Sequence, residues 1–342
     1  MFLPPRIAFL VPVLAVLSLA GCAGSPAADP CAAAVEHIAM CLDGELPPPS
    51  TCASPEAAQA ALDLSCEDLR DLGKADGGLG CSWIGRALGL CVAIPDDAHV
   101  LSTIGTPADE LLGDKVRILV WNVHKGEEEE WDEEMTRLTS DVDLVLTQEI
   151  LLDQDSRETL EASDRLQYIA AATFLVGGSG GPATGVATGS SAEAVDVQFV
   201  RSSRTEPILN TPKMMLLTTY TLIDGRLLLV ANVHGINFVT DSAFREQMLQ
   251  LEEAISTHEG PMLVAGDFNT WTSGRREALD GAMTRQGLVH AALADDHRWR
   301  VFDHVYSREL TISSARLLND LEASDHAPIL IEAGLSSVRQ SM

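Results

Sequence analysis

The chain has 342 residues, long for one domain and suited to two unequal ones. Its 23 basic and 50 acidic residues give a net charge of −27. No basic run is visible, which argues against tight gripping of nucleic acid through a basic stripe and leaves divalent-cation chemistry open.

The N-terminus reads as an export signal. Arg6 precedes an apolar run over residues 7–20, too short to span a bilayer comfortably. The ending Leu19-Ala20-Gly21-Cys22 resembles a bacterial lipobox. That resemblance implies removal of residues 1–21, lipidation of Cys22 and a bacterial lipoprotein held at the cell envelope, at the outer membrane or cell surface. Acyl chains contribute about 0.8 kcal/mol per buried CH₂, enough in combination to hold the protein on a membrane. A plain secretory peptide is the alternative.

Residues 22–30 form an Ala/Gly/Ser/Pro tether. Six cysteines follow within residues 31–92: Cys31, Cys41, Cys52, Cys66, Cys81 and Cys91. An even set in an exported segment reads as three disulfides, with fifteen possible pairings. A zinc site is the runner-up, but no CxxC pair supports it. Asp29-Pro30 and Ser54-Pro55 are cap-then-proline helix starts, and three prolines at 47–49 separate the helices. The segment is expected to be a small helical module stapled by its disulfides. Residues 93–114 are expected to be a linker, and 115–337 the main domain.

From Lys115 strands alternate with helical patterns. Strands are expected at 116–121 and 143–147, with a charged helix at 127–138 between them. Residues 177–189, rich in Gly, Ser, Thr and Ala, read as a loop leading into a strand. Strands at 214–223 and 226–233 are joined by Asp224-Gly225, which favours a two-residue hairpin turn with both positions at φ > 0. Phe244, Met248, Leu251 and Ile255 have helical spacing. Residues 262–265 are a short buried strand, and a helix at 275–285 ends at Gly287. The last strands are expected at 301–306, 310–317 and 328–331. Hairpins mixed with crossover helices indicate an α/β fold with mixed, mainly antiparallel sheets.

Polar residues gather where the apolar runs stop. Six clusters do this: Asn122 with His124, Gln148-Glu149, Asn232 with His234, Asp267 with Asn269, Asp303-His304, and Asp325-His326. Singly, each has an ordinary explanation as an Asx-turn, a cap or a satisfied core histidine. Together they place carboxylates, amides and imidazoles at neighbouring strand ends. That set suits phosphoester hydrolysis, which needs charge neutralisation, a positioned water and donors to the phosphate oxygens. Glu149 and Asn122 are hard oxygen ligands for Mg²⁺, Mn²⁺ or Ca²⁺.

The ordered series Trp121-Asn122, Gln148-Glu149, Asn232-Val233-His234, Gly266-Asp267-Phe268-Asn269, Phe302-Asp303-His304 and Ser324-Asp325-His326 resembles the endonuclease/exonuclease/phosphatase superfamily, with its DNase-I-like fold. The resemblance spans about residues 115–335, and the run from Ala231 to Phe238 looks closest to a bacterial branch of that family. It implies a four-layer α/β/β/α sandwich with the site at one edge of two facing sheets. It implies a divalent metal, Mg²⁺ or else Mn²⁺ or Ca²⁺, at Glu149 with Asn122 and Asp325 close by. Asp267 would orient or deprotonate the attacking water, with Asn269 fixing it. His326, oriented by Asp303, would face the phosphate, and His234 would be a second donor. No carboxylate partner for His234 is assignable from the sequence. Two departures stand out: His124 occupies a position where some relatives carry an acid or amide, and the basic loops of DNA-cutting relatives are missing. The implied activity is metal-dependent phosphodiester hydrolysis, on nucleic acid or on a phospholipid or sphingolipid head group. A non-enzymatic surface binding module is the alternative.

Overall fold

Strands buried on both faces read as unbroken apolar runs, and the strands that end in polar clusters are of this kind. The computed structural model describes residues 30–42, 55–69, 92–176, 180–206, 210–294, 296–298 and 300–336. Among these, the first strands are β1 (Leu101–Gly105), β2 (Lys115–Asn122), β3 (Leu144–Leu151), β4 (Gln167–Leu175), β5 (Ala183–Ser190), β6 (Ala194–Arg201) and β7 (Met214–Thr221). They are followed by β8 (Leu227–His234), β9 (Met262–Asp267), β10 (Val289–His290), β11 (Asp303–Arg308), β12 (Leu310–Leu317) and β13 (Ile329–Leu335). One sheet has the order β1-β4-β5-β3-β2-β13-β12, the other β10-β11-β9-β8-β7-β6. Only β2–β3 and β8–β9 pair in parallel; the other pairings are antiparallel.

The two sheets face each other across a core that includes Ile118, Val120, Leu146, Val230, Leu263 and Val305. Helices cover the outer faces. α1 (Pro30–Leu42) and α2 (Pro55–Leu62) belong to the N-terminal module. α3 (Trp131–Thr139) and α4 (Gln154–Glu161) lie on the first sheet, where Trp131, Met135 and Leu160 join its outer cluster. α5 (Asp241–Ile255) and α6 (Ser273–Arg285) bury Phe244, Met248 and Leu279 against the second. The result is the α/β/β/α sandwich that the motif series implied. Thr240 and Thr272 cap α5 and α6 by accepting from the N–H groups of Ala243 and Arg275.

Several expectations need correction. The charged helix starts at Trp131, not 127, because Glu130 sits at φ 67 with no side-chain cap and residues 124–126 form a 3₁₀ turn. Within the supposed loop at 177–189, residues 183–190 are a buried central strand. Its small residues serve close approach: a Cβ at Gly185 would lie 2.0 Å from Ala171 O. In the hairpin, only Gly225 is left-handed, at φ 84, and its N–H donates to Leu222 O at 2.8 Å. That is a tight turn closed by one αL glycine, not one with both centres at φ > 0. The last-but-two strand begins at Asp303, not 301. The presumed linker at 93–114 supplies β1, and its Leu112 is buried in the inter-sheet core.

In the module, Cys41 and Cys66 form a disulfide. Ile38, Ala58 and Leu69 make a small core that also takes in Phe174 of β4, so α1 rests on the sandwich. The export signal, Cys22, most of the tether, the prolines at 47–49, and Cys52, Cys81 and Cys91 lie outside the described residues, as does the Cys31 side chain.

Candidate active site

The two parallel pairs bring four strand ends to one edge. Asn122 is in register with Gln148, and His234 with Asp267, which in turn opposes Asp303 of antiparallel β11. Gln148 and Asn232 do not face the cleft. Gln148 Nε2 donates to Asn232 Oδ1 at 2.7 Å, and Asn232 Nδ2 donates to Thr147 O and Ala187 O at 3.1 and 2.9 Å. This buried amide pair stitches one sheet to the other directly behind the cleft. Asp303 and His304 part company because successive strand residues face opposite ways. Asp303 turns into the cleft, whereas His304 turns away toward Thr270 and Arg276.

Asp267 is at the centre, only 2% exposed. Its Oδ1 accepts from the Asn269 backbone N–H at 2.9 Å, and its Oδ2 accepts from Asn122 Nδ2 at 3.1 Å. The Nε2 atoms of His326 and His234 each lie 3.9 Å from Oδ2. His326 Nδ1 meets Asp303 Oδ1 at 2.9 Å, and Arg298 Nη1 donates to Asp303 Oδ2 at 2.8 Å. The loop carrying His326 is pinned by Trp121 Nε1, which donates to His326 O at 2.9 Å, and by Ser324 Oγ, which donates to Asn122 O at 2.7 Å.

Glu149 reaches the cleft through a backbone irregularity. The β3–β5 register skips it, and it sits at φ 56, a costly conformation for a non-glycine residue. Its Oε1 is 3.4 Å from His234 Nε2, so Glu149 is the carboxylate beside His234. Its Oε2 is 3.1 Å from Lys125 Nζ. A second ion pair lies alongside, Lys213 Nζ to Glu206 Oε1 at 3.4 Å. Glu206 also accepts from the Asn237 N–H at 2.8 Å.

Burial and charge set the protonation states. Burial raises the Glu149 carboxyl, but the Lys213 and Lys125 ammonium groups outweigh it and hold the net value well below the usual range. Burial, helped by Asp303 and Glu149, raises Asp267 to about 6. Burial disfavours the His326 cation, yet Asp303 and Asp267 together push that imidazole well above its ordinary value. Burial and Lys213 push His234 well below it. At neutral pH the cleft therefore holds an ionised Asp267, an imidazolium at His326 and a neutral His234.

The donor set fits a hard divalent cation. Glu149 and Asp267 offer carboxylate oxygens and Asn122 an amide oxygen. Asp267, Asp303 and His326 also have ligand atoms within 4.8 Å of one another. Arg298 already sits on Asp303 and Asp303 on His326, so that trio reads better as a proton-handling relay. Asp325 lies at the exposed rim, its Oδ1 3.9 Å from His124 Nδ1, and its charge supports the His326 cation. Sequence reasoning missed Lys125, Lys213, Glu206 and Arg298. Lys125 directly follows His124 and was within reach of the strand-end rule; the other three come from connections with no local signal.

Residues 119–326 match the profile of the Endonuclease/Exonuclease/phosphatase family. A UPF0294 protein of Klebsiella pneumoniae (strain 342) is 35% identical over 233 residues, covering 67% of this chain and 84% of that protein. An endonuclease/exonuclease/phosphatase from Beutenbergia cavernae DSM 12333 has a similar fold, with TM-score 0.52 and 15% identity over 65% of this chain and 72% of its own. The human Nocturnin catalytic domain, solved with a bound sulfate anion, gives TM-score 0.50 and 16% identity over 69% and 98%.

Proposed function

We propose a specific hydrolytic role for this chain, which belongs to the endonuclease/exonuclease/phosphatase family: divalent-metal-dependent cleavage of a phosphodiester. The observation that carries the reading is the meeting of Asp267, Glu149, Asn122, His234 and the Asp303–His326 pair in one cleft. The family acts on phosphoester bonds.

A divalent cation held by Glu149 and Asn122 would supply charge neutralisation and polarise the phosphoryl oxygen. The protein's own groups do the rest. Asp267, raised to about 6, is a base matched to neutral pH and takes a proton from water. The water oxygen bonds to phosphorus as the bond from phosphorus to the leaving oxygen breaks. His326 donates its Nδ1 proton to Asp303, which leaves Nε2–H facing the cleft to protonate the leaving oxygen. His234 stays neutral and offers a further donor. Asn269 fixes Asp267 through its backbone N–H.

Candidate substrates are nucleic acid and lipid head groups. Mg²⁺ is the first metal to try, followed by Mn²⁺ and Ca²⁺. The proposal includes export and lipidation at Cys22, with attachment at the cell envelope; a Cys22→Ser variant should leave the membrane fraction. Hydrolysis of bis(p-nitrophenyl) phosphate in Mg²⁺ or Mn²⁺ is the direct test. Asp267→Ala and His326→Ala should each lose about 10²-fold or more in kcat, as expected for a lost base or acid. Folded protein inert in every metal would overturn the reading.

A further inference from the structure

The cleft extends well past the polar residues just described. A single cavity of about 1040 Å³ contains Asn122, Glu149, Asp267 and His326 and continues beneath α1. Its far wall is built from Ala32, Val35 and Ala39 of α1 with Phe174 of β4. These are small or apolar side chains, and the helix is seated by the cluster that joins Ile38 to Phe174. The N-terminal module is therefore part of the cavity, not an appendage beside it.

Charge is arranged from inside to outside. Lys125 and Lys213, with side chains 16% and 12% exposed, line the interior beside Glu149 and Glu206, with which they pair. Around the opening stand Glu36, Glu127 and Asp325, all exposed, against one exposed base among the described lining residues, Arg300. Duplex DNA carries about one charge per 1.7 Å of its axis and would have to lie across that acidic rim. A single phosphate entering the cavity instead comes within reach of two ammonium groups, which it shares with Glu149 and Glu206. The cavity is at the upper end of the roughly 300–1,000 Å³ typical of small-molecule sites. Phe238 and Trp271, 36% and 45% exposed, put aromatic surface at its mouth.

Resting on the phosphodiesterase reading above, we propose that this cleft takes a compact phosphodiester, not a duplex, and that α1 with Phe174 forms a subsite for an apolar substituent on that phosphate. The phosphate lies over Asp267 and Glu149, and the substituent runs toward Ala32 and Ala39. Selectivity for that group comes from the N-terminal module.

The test uses the full chain in Mg²⁺ or Mn²⁺. Three substrates are compared: bis(p-nitrophenyl) phosphate, methyl p-nitrophenyl phosphate and a short DNA duplex. Two α1 variants, Ala32→Trp and Ala39→Trp, fill the subsite from residues that are not fully buried. Melting temperatures check that each is folded. Because nitrophenolate is the better leaving group, duplex is also judged by competition: at concentrations where diphenyl phosphate inhibits bis-aryl hydrolysis, added duplex should leave the rate nearly unchanged. The Trp variants should raise KM for the bis-aryl diester about tenfold, the low end of what one pocket contact is worth, and leave the methyl ester nearly unchanged. Calorimetric binding of diphenyl phosphate, a stable ligand, should be weakened in the same variants. Duplex cleaved as well as the small diester, or Trp variants indistinguishable from wild type, overturns the proposal and leaves phosphodiester hydrolysis standing. Diphenyl phosphate binding that Ala39→Trp abolishes, in a protein that hydrolyses nothing, upholds the subsite and sinks the enzymatic reading instead.

Discussion

The two sides of the cleft are built differently. On one side Arg298, Asp303 and His326 form a chain of hydrogen bonds at 2.8 and 2.9 Å, and Asp267 beside them sits in strand register opposite Asp303. On the other side Glu149, Lys125, Lys213, Glu206 and His234 meet at 3.1–3.4 Å, brought together by a bulge and by inter-strand connections. The first side is preorganised by the sheets. The second is a balance of buried charges that an incoming cation or phosphate can redraw. Preorganised polar groups are the ones expected to govern the chemical step, and exchangeable charges to govern binding.

The sharpest way to break this contrast is Asp303→Ala. It strips His326 of the group that orients it and leaves Arg298 held by Asp296 alone, so kcat should fall about 10²-fold with KM little changed. A pure KM effect would erase the distinction between the two sides. Next in size is Lys213→Met. Loss of a charge-assisted contact to an anionic substrate should raise KM about tenfold, with a smaller change in kcat. Lys125→Met tests the same side by a different route. Lys125 shares Glu149 Oε2, so removing its charge should tighten Mg²⁺ or Mn²⁺ several-fold in isothermal titration, because a like charge near the ion is gone. Unchanged or weaker metal binding would place the cation away from Glu149.

The smallest test concerns the back of the preorganised side. Thr270 Oγ1 donates to Val301 O at 2.7 Å, so at 2.6 Å from His304 Nε2 it must accept that ring's proton. Nδ1 is then the acceptor for Arg276 Nη1 at 3.0 Å, and His304 is a neutral histidine. Burial and Arg276 hold it down to about 3. The unfolded chain, with histidine near 6.5, takes up this proton first as the pH falls. Stability from His304 is therefore complete above about 6.5 and is lost as the pH drops toward 3. Relative to His304→Gln, the wild-type melting temperature should fall by a few degrees more between pH 7 and 5.

The sheet edge was legible in the sequence because buried strands leave a continuous apolar trace, and polar residues that interrupt it stand out. Asn122, Glu149, His234, Asp267 and His326 were marked this way, and the structure brings them together. The strand at 183–190 was not legible, since its alanines, threonines and glycines imitate a loop while serving close packing around Ala171. Glu206 and Lys213 were silent for another reason. They pair with each other across the connection from β6 to β7, and Glu206 also takes the Asn237 N–H from a distant loop; no period or spacing announces such contacts. The placement of α1 over the cleft belongs with them, because it depends on Phe174 of a distant strand.

The bond between Cys41 and Cys66 acquires a meaning from that placement. It ties the helix that walls the pocket to the short helical segment at 66–69 that follows α2, across a loop whose closure is worth about 3.5 kcal/mol. Thiol reagents would loosen this wall while leaving both sheets intact. Mild reduction should thus blur the choice among substrates before it slows turnover, making oxidation of the module a condition for discrimination and not for chemistry.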